Sequence, residues 1–250
     1  MQLNPNEGKK LIIEINGQKW ARFPVKTHFV GADDTFEGII EKYVLPISQN
    51  NDIVALGQKI VSILQKRIVL KKDVKVGFWA KFLSKFAKKT PYGFSVGNPL
   101  KMQLALNMAG LPRIFWAGFC SMIAKLFGIS GTFYRVAGHQ INELDGFYGK
   151  FYPQYADMGL LGPIGCDLLC DKLREKYRKY GLSFFVADVN DLGGNVLGRS
   201  QDLKGKPASN VSRSDAGWEN LLLKILKDNP AGQSNEQTPI ILIRRVAGIK

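Results

Sequence analysis

The sequence predicts an α+β fold, a mixed sheet or sheets with flanking helices in a single domain. Strand-like and helix-like segments follow one another without strict alternation, which argues against a regular parallel α/β architecture. A composition of 45% hydrophobic and 22% charged residues over 250 residues belongs to a chain that can bury a core. An Asn16-Gly17 pair between two apolar runs marks a hairpin near the start.

The elements are expected in the following order. Residues 10–15 and 19–25 form the hairpin. Asp34-Thr35-Phe36-Glu37 reads as a capping box, with Asp34 accepting from the third backbone N–H and Glu37 reaching back. Phe36, Ile39, Ile40, Tyr43 and Val44 then recur at helical spacing, and Pro46 ends the helix. Residues 52–64 (DIVALGQKIVSIL) are rich in β-branched side chains and read as a strand with Gly57 at its centre. Residues 77–89 form a basic amphipathic helix, with Phe78, Trp79, Phe82, Leu83 and Phe86 on one side and Lys81, Lys85, Lys88 and Lys89 on the other. Its apolar side is expected in the core; the alternative is a helix lying on an anionic membrane. A glycine-bounded turn follows at 92–97.

Helices are expected at 99–108 and 113–127, joined by Ala109-Gly110-Leu111-Pro112. The stretch 111–128 is the most hydrophobic of the chain, but Arg113 and Lys125 interrupt it. A spanning helix needs ~20 apolar residues, so a buried helix is expected instead. Residues 132–137 read as a strand. Residues 138–165 read as a glycine-rich loop carrying His139, Glu143, Asp145 and Asp157. A helix at 167–180 should end at Gly181. A buried strand at 183–187 then runs into Asp188-Val189-Asn190-Asp191. A polar, mobile loop at 201–214, a helix at 218–226, a polar loop at 228–239 and a strand at 240–246 complete the chain.

There are 35 Lys and Arg against 21 Asp and Glu, a formal charge of +14. Such an excess attracts polyanions; it is also found on ordinary lysine-rich surfaces. No nucleic-acid module signature is present, so nucleic acid is not an expected partner. Three cysteines, Cys120, Cys166 and Cys170, make no disulfide framework and no zinc spacing, and they read as packed thiols in a reducing compartment. The N-terminal residues hold no apolar signal core, so a cytoplasmic location is expected.

Phosphate-loop, dinucleotide, zinc-protease and nucleophile-elbow motifs are absent. With only His28 and His139, histidine triads have little material. What remains is a set of carboxylates and amides near glycines. Asp188 and Asn190, at the end of an apolar strand, suit a hard cation that holds phosphate oxygens, or else a turn whose side chains bond their own backbone. Asp145-Gly146 reads as a turn. Gly232-Gln233 offers backbone N–H groups within a polar loop.

In their order along the chain, these residues resemble the γ-glutamyl ligases of the deazaflavin coenzyme F420, in a divergent bacterial branch. Arg22-Phe23-Pro24-Val25 followed by Gly31-Ala32-Asp33-Asp34 is similar to that family's opening. Asp52-Ile53-Val54 through Gln58-Lys59-Ile60-Val61-Ser62 is similar to its glycine-aspartate strand and QK-IVS run. Leu160-Leu161-Gly162-Pro163, Phe185-Val186-Ala187-Asp188-Val189-Asn190 and Gly232-Gln233 through Thr238-Pro239-Ile240 resemble its later motifs. The likeness covers roughly residues 20–72 and 132–246, leaving a helical insertion at about 73–131 without counterpart.

The resemblance implies a mixed α/β fold and a homodimer. It implies GTP or ATP as co-substrate and Mg²⁺ or Mn²⁺ as cofactor. A substrate carboxylate, deazaflavin-like or folate-like, would be activated as an acyl phosphate and joined to L-glutamate. Carried over by position, Phe23, Pro24, Val25, Gln58, Lys59, Gly232 and Gln233 would touch the nucleotide. Asp145, Asp188 and Asn190 would hold metal, and the two aspartates would be catalytic. The family's lysine after the serine is Ile63 here, and a threonine ligand is replaced by Val189. A non-catalytic binding protein on the same fold, or a membrane-surface protein, are the alternatives.

Overall fold

A computed structural model describes residues 4–87, 96–138, 140–148, 156–190, 193–205, 217–232 and 236–246. In chain order the elements are β1 (Ile12–Ile15), β2 (Gln18–Val25), α1 (Phe36–Ile39), β3 (Ile53–Gly57), α2 (Gln58–Leu64), β4 (Ile68–Leu70), α3 (Phe78–Ser84), α4 (Pro99–Ala109), α5 (Leu111–Leu126), α6 (Thr132–Ala137), β5 (Asp145–Gly146), β6 (Met158–Leu160), α7 (Cys166–Lys176), β7 (Ser183–Asn190), β8 (Gly193–Arg199), α8 (Gly217–Ile225) and β9 (Ile240–Val246). The mixture is α+β, as expected. The chain divides into two compact units, Met1–Lys66 with Pro163–Lys250, and Arg67–Gly162.

The first unit is built on a six-stranded mixed sheet, ordered β1-β2-β9-β3-β7-β8. Asn16 and Gly17 both adopt positive φ (51° and 75°), as a two-residue hairpin between β1 and β2 requires. β2 pairs antiparallel with β9, β9 antiparallel with β3, and β3 parallel with β7. Side chains alternate across this sheet. Trp20, Ile53, Ala55, Phe185, Ala187, Ile241 and Ile243 form a core with Leu221, Leu222 and Ile225 of α8. α2 and α7 pack on β7.

Several expectations for this unit need correction. Residues 52–64 are a strand and then a helix. β3 is five residues long, and Gly57 ends it while standing as the residue before α2. Ile60, Val61 and Ile63 are buried on a helix, so tertiary burial outweighs their β preference. Thr35, not Asp34, caps α1, its hydroxyl accepting from Gly38 N–H at 3.1 Å. Pro46 does not end α1; the chain widens from α1 into a π turn at Ile40–Val44 and then tightens into a 3₁₀ turn at Leu45–Ile47, whose second residue is Pro46, within the first turn where a missing N–H is tolerated. Asp188 and Asn190 lie within β7, because residues 193–199, rich in glycine, form an unforeseen partner strand. Cys166 and Cys170 are buried thiols, and burial, seconded by the nearby Cys166, Asp167 and Asp171, pushes Cys170 up.

β8 meets α7 at Gly198. A Cβ there would lie 2.5 Å from the Asp167 backbone nitrogen, which belongs to a helix terminus that cannot swing aside. Gly198→Ala is expected to cost on the order of 1–3 kcal/mol by overpacking. A urea titration should show a lowered midpoint with an unchanged slope.

The second unit has a three-stranded antiparallel sheet, β4-β6-β5. Its core gathers Ala80, Met102, Leu104, Ala105, Ile114, Ala117, Ala137, Ile141 and Phe147. Residues 132–137, expected as a strand, are the helix α6. Gly131 and Gly138 bracket it with positive φ (76° and 61°), giving a short helix that buries Ala137. Within 138–165 the described residues include β5 and β6 rather than loop alone. The turn expected at 92–97, His139 and most of the loop expected at 201–214 lie partly or wholly outside the described residues.

The largest departure concerns α3 and α5. α3 buries only Ala80 and Ser84 and leaves Phe78 70% exposed, with Trp79, Phe82 and, just past its end, Phe86 also exposed. α5 buries only Ile114 and Ala117; Trp116 is 60% and Leu126 81% exposed, alongside Phe115, Phe119, Met122 and Ile123. The expectation that these apolar faces line the core is wrong. α5 turns its small Ala117 inward, and nothing described covers its large side chains. Among the described residues, no helix is long and apolar enough to cross a membrane.

Candidate functional site

The first unit gathers several of the expected residues at one end of its sheet. β3 passes into α2 with no intervening loop, so Gln58 and Lys59 follow directly on the last strand residue. The Gly57 N–H donates to the Pro239 carbonyl at 2.9 Å, and a Cβ at Gly57 would stand 3.0 Å from that same oxygen. Glycine is therefore what lets β9's leading segment close on β3 here. Gln58 is buried and Lys59 half-buried.

β7 lies alongside, with Gly57 opposite Ala187, so Asp188 begins where β3 ends. Both strands run toward this end, and ligands of open sheets bind beyond the carboxyl ends of parallel strands. Strand alternation sets Asp188 and Asn190 on one face with Phe184 and Val186, opposite to Phe185, Ala187 and Val189, which pack under α8. Asp188 is half-buried and Asn190 exposed.

β2 reaches the same end. Val25 pairs with Ile240, which pairs in turn with Leu56. Phe23, two residues back, carries the Arg244 guanidinium over its ring at 5.1 Å, and Arg244 is held by Asp52 at 2.7 and 2.9 Å. Pro24 is buried and faces the other side of the strand. Gly232 has φ +65°, and its loop is pinned by the Thr238 hydroxyl, which donates to Ala231 O at 2.7 Å and accepts from Asn6 at 2.9 Å. Thr27 N–H bonds Gln237 O at 2.9 Å, tying this loop to the end of β2. Gln233 lies outside the described residues.

Asp145 belongs to the second unit. Its carboxylate lies 3.9 Å from the ammonium of Lys101, a side chain only 1% exposed that also stands 5.0 Å above the Tyr148 ring. The neighbour of Asp145 in its own unit is thus a buried cation.

Sequence reading missed one polar group. His28 sits between Tyr43 (Nδ1 to hydroxyl, 2.6 Å) and Asp34 (Nε2 to Oδ1, 2.9 Å). Asp34 also accepts from Gly31 N–H at 2.8 Å. Burial pushes Asp34 up, but the Gly31 bond and His28 outweigh it and hold the carboxyl below its ordinary value. The only available signal was His28 three residues past the end of a strand and six before the Asp34 pair.

Among the described residues no three His, Cys, Asp or Glu side chains cluster as a ready metal cage. Asp188 and Asn190 do offer two hard oxygens on one face, which suits Mg²⁺, a cation that keeps several waters and binds through one or two carboxylates plus phosphates. Compared with known proteins, the chain matches no family model and no curated protein.

Proposed function

We propose that the chain is a nucleotide- and divalent-metal-dependent γ-glutamyl ligase with an F420-ligase-like fold, joining L-glutamate to the carboxylate of a small deazaflavin-like or folate-like acceptor in the cytoplasm, as a homodimer. What supports the reading is the convergence of Val25, Gln58, Lys59 and Asp188, drawn from three separate stretches of sequence, at the carboxyl end of parallel strands β3 and β7. In this reading Lys59 meets the phosphates, Gln58 orients the nucleotide, and Asp188 with Asn190 holds Mg²⁺ or Mn²⁺, while Phe23, stacked on Arg244 toward the amino end of β3, stands away from it. When bound, such a cation neutralises the charge that builds up between a carboxylate and a triphosphate. The +14 charge favours the approach of both anionic substrates.

The test is direct. The purified protein is incubated with Mg²⁺ or Mn²⁺, GTP or ATP, L-glutamate and either acceptor. Phosphate release that requires both glutamate and acceptor, with an acceptor heavier by one glutamyl residue, is the expected result. Calorimetric binding of nucleotide without phosphate release from either acceptor would leave a binding protein in place of a ligase. Absence of nucleotide binding would remove both.

A further inference from the structure

We propose that the second unit docks on an anionic lipid surface, with α5 lying in the plane of the membrane interface and α3 beside it. The inference is independent of the ligase reading. It starts from the exposed apolar stripe on α5, where Phe115, Phe119, Met122, Ile123 and Leu126 recur at one-face spacing. Trp79 of α3 meets Phe115 edge-on, with ring centroids 5.4 Å apart. Phe82 and Phe86 extend the same aromatic ridge, 5.1 Å from one another. Beyond the end of α5 the chain turns at Gly128, φ +71°, with Phe127 75% exposed and Ile129 exposed on either side of it. A contiguous apolar surface of this kind marks a binding face rather than ordinary scatter.

Charge decides what binds it. Between Val74 and Asn142 the sequence holds nine Lys and Arg and no Asp or Glu. Lys75, Lys81, Lys85, Arg113, Lys125 and Arg135 are all exposed. Protein–protein interfaces are depleted in lysine and balance their charges across the contact. Interfacial helices instead combine Trp, Phe and Leu on one face with Lys and Arg around it, and bury the apolar face at the level of the headgroups. α5 has 16 residues, about 24 Å at 1.5 Å per residue, short of a ~30 Å hydrocarbon core. It therefore lies on the bilayer and does not cross it.

Flotation of the full chain with vesicles tests the proposal. Vesicles of equal phosphatidylcholine and phosphatidylserine should carry the protein upward at low salt. Vesicles of phosphatidylcholine alone should carry much less, and added salt should release it. Tryptophan emission should shift to shorter wavelength on binding. Trp116→Glu with Leu126→Glu should abolish flotation; both side chains are exposed, so the fold has no stake in them. Lys81→Gln, Lys85→Gln and Lys125→Gln should weaken partition about fivefold per charge removed. Flotation indifferent to lipid charge overturns the proposal. So does an absence of flotation in a protein that elutes as a dimer and becomes a monomer with Trp116→Glu, which would assign the face to a second copy of the chain.

Discussion

Asp188→Asn is expected to reduce nucleotide-dependent phosphate release about 100-fold or more at an Mg²⁺ concentration that just saturates the parent, leaving the melting temperature unchanged. The side chain stands half-buried on β7, where an amide of the same shape preserves the strand pairing with Asn195. On the ligase reading proposed above, the substitution removes a negative charge from the side chain that would hold the cation. Two orders of magnitude correspond to ~2.7 kcal/mol of barrier. Raising Mg²⁺ or exchanging it for Mn²⁺ should recover part of the rate, because a weakened ligand set shows first as weakened metal affinity. A rate within a few-fold of the parent would mean that Asp188 does not hold the cation.

The largest stability effect is expected at Arg22. Its side chain is 1% exposed, yet it is a cation. It donates to Ile225 O at 2.9 Å, to Lys10 O and to both carboxylate oxygens of Asp228, so that it ties β2 to the end of α8 and to the segment before β1. Arg22→Met fills similar volume but leaves those acceptors without their donor. Leaving the Ile225 and Lys10 carbonyls without their donor costs ~1–3 kcal/mol each, whereas Asp228 is 42% exposed, so solvent takes over its charge and the ion pair adds no more than ~1 kcal/mol. Equilibrium urea unfolding should show most of that loss. The pH dependence carries a sign. The Arg22 hydrogen bond, reinforced by its charge, outweighs burial and holds the Asp228 carboxyl below its ordinary 3.8. The folded value is thus below the unfolded one, and the pair contributes fully above about pH 3.8 and fades as pH falls through the folded value. The stability gap between the parent and Arg22→Met should narrow below that pH. A gap constant down to pH 2 would show that the bonds to Ile225 and Lys10, and not the ion pair, do the stabilising.

Local chemistry made some of this structure readable in advance. The Asn16-Gly17 hairpin, the helices at 99–109 and 166–176, and Gly181 in the left-handed region all followed from rules that concern a few neighbouring residues. The errors came where distant partners decide. Residues 58–64 look like strand because their β-branched residues are suited to one, but they lie on a helix whose Ile60, Val61 and Ile63 are buried, and that packing comes from partners distant in sequence. β8 was unreadable because Gly193 and Gly194 weaken a strand that exists only by pairing with β7. The α5 face was misjudged because hydrophobicity reports a need for an apolar neighbour without saying which side supplies one. For the site, the order of short motifs pointed to Gln58, Lys59 and Asp188, and sheet register brought them together. His28 with Asp34 and Tyr43 escaped notice because the three come from a strand exit, a turn and a helix.

β9 has a further consequence. Among the described residues it is the last strand in sequence, yet it stands between β2 and β3, inside the sheet. A ribosome must therefore release residues 240–246 before the first unit can close, while residues 67–162 are already out and contain every strand of their own sheet. Until then the nascent chain carries β2 and β3 as two unpaired apolar edges, each an open template for another chain. Premature termination between the end of β3 and Ile240 would make that aggregation-prone state permanent.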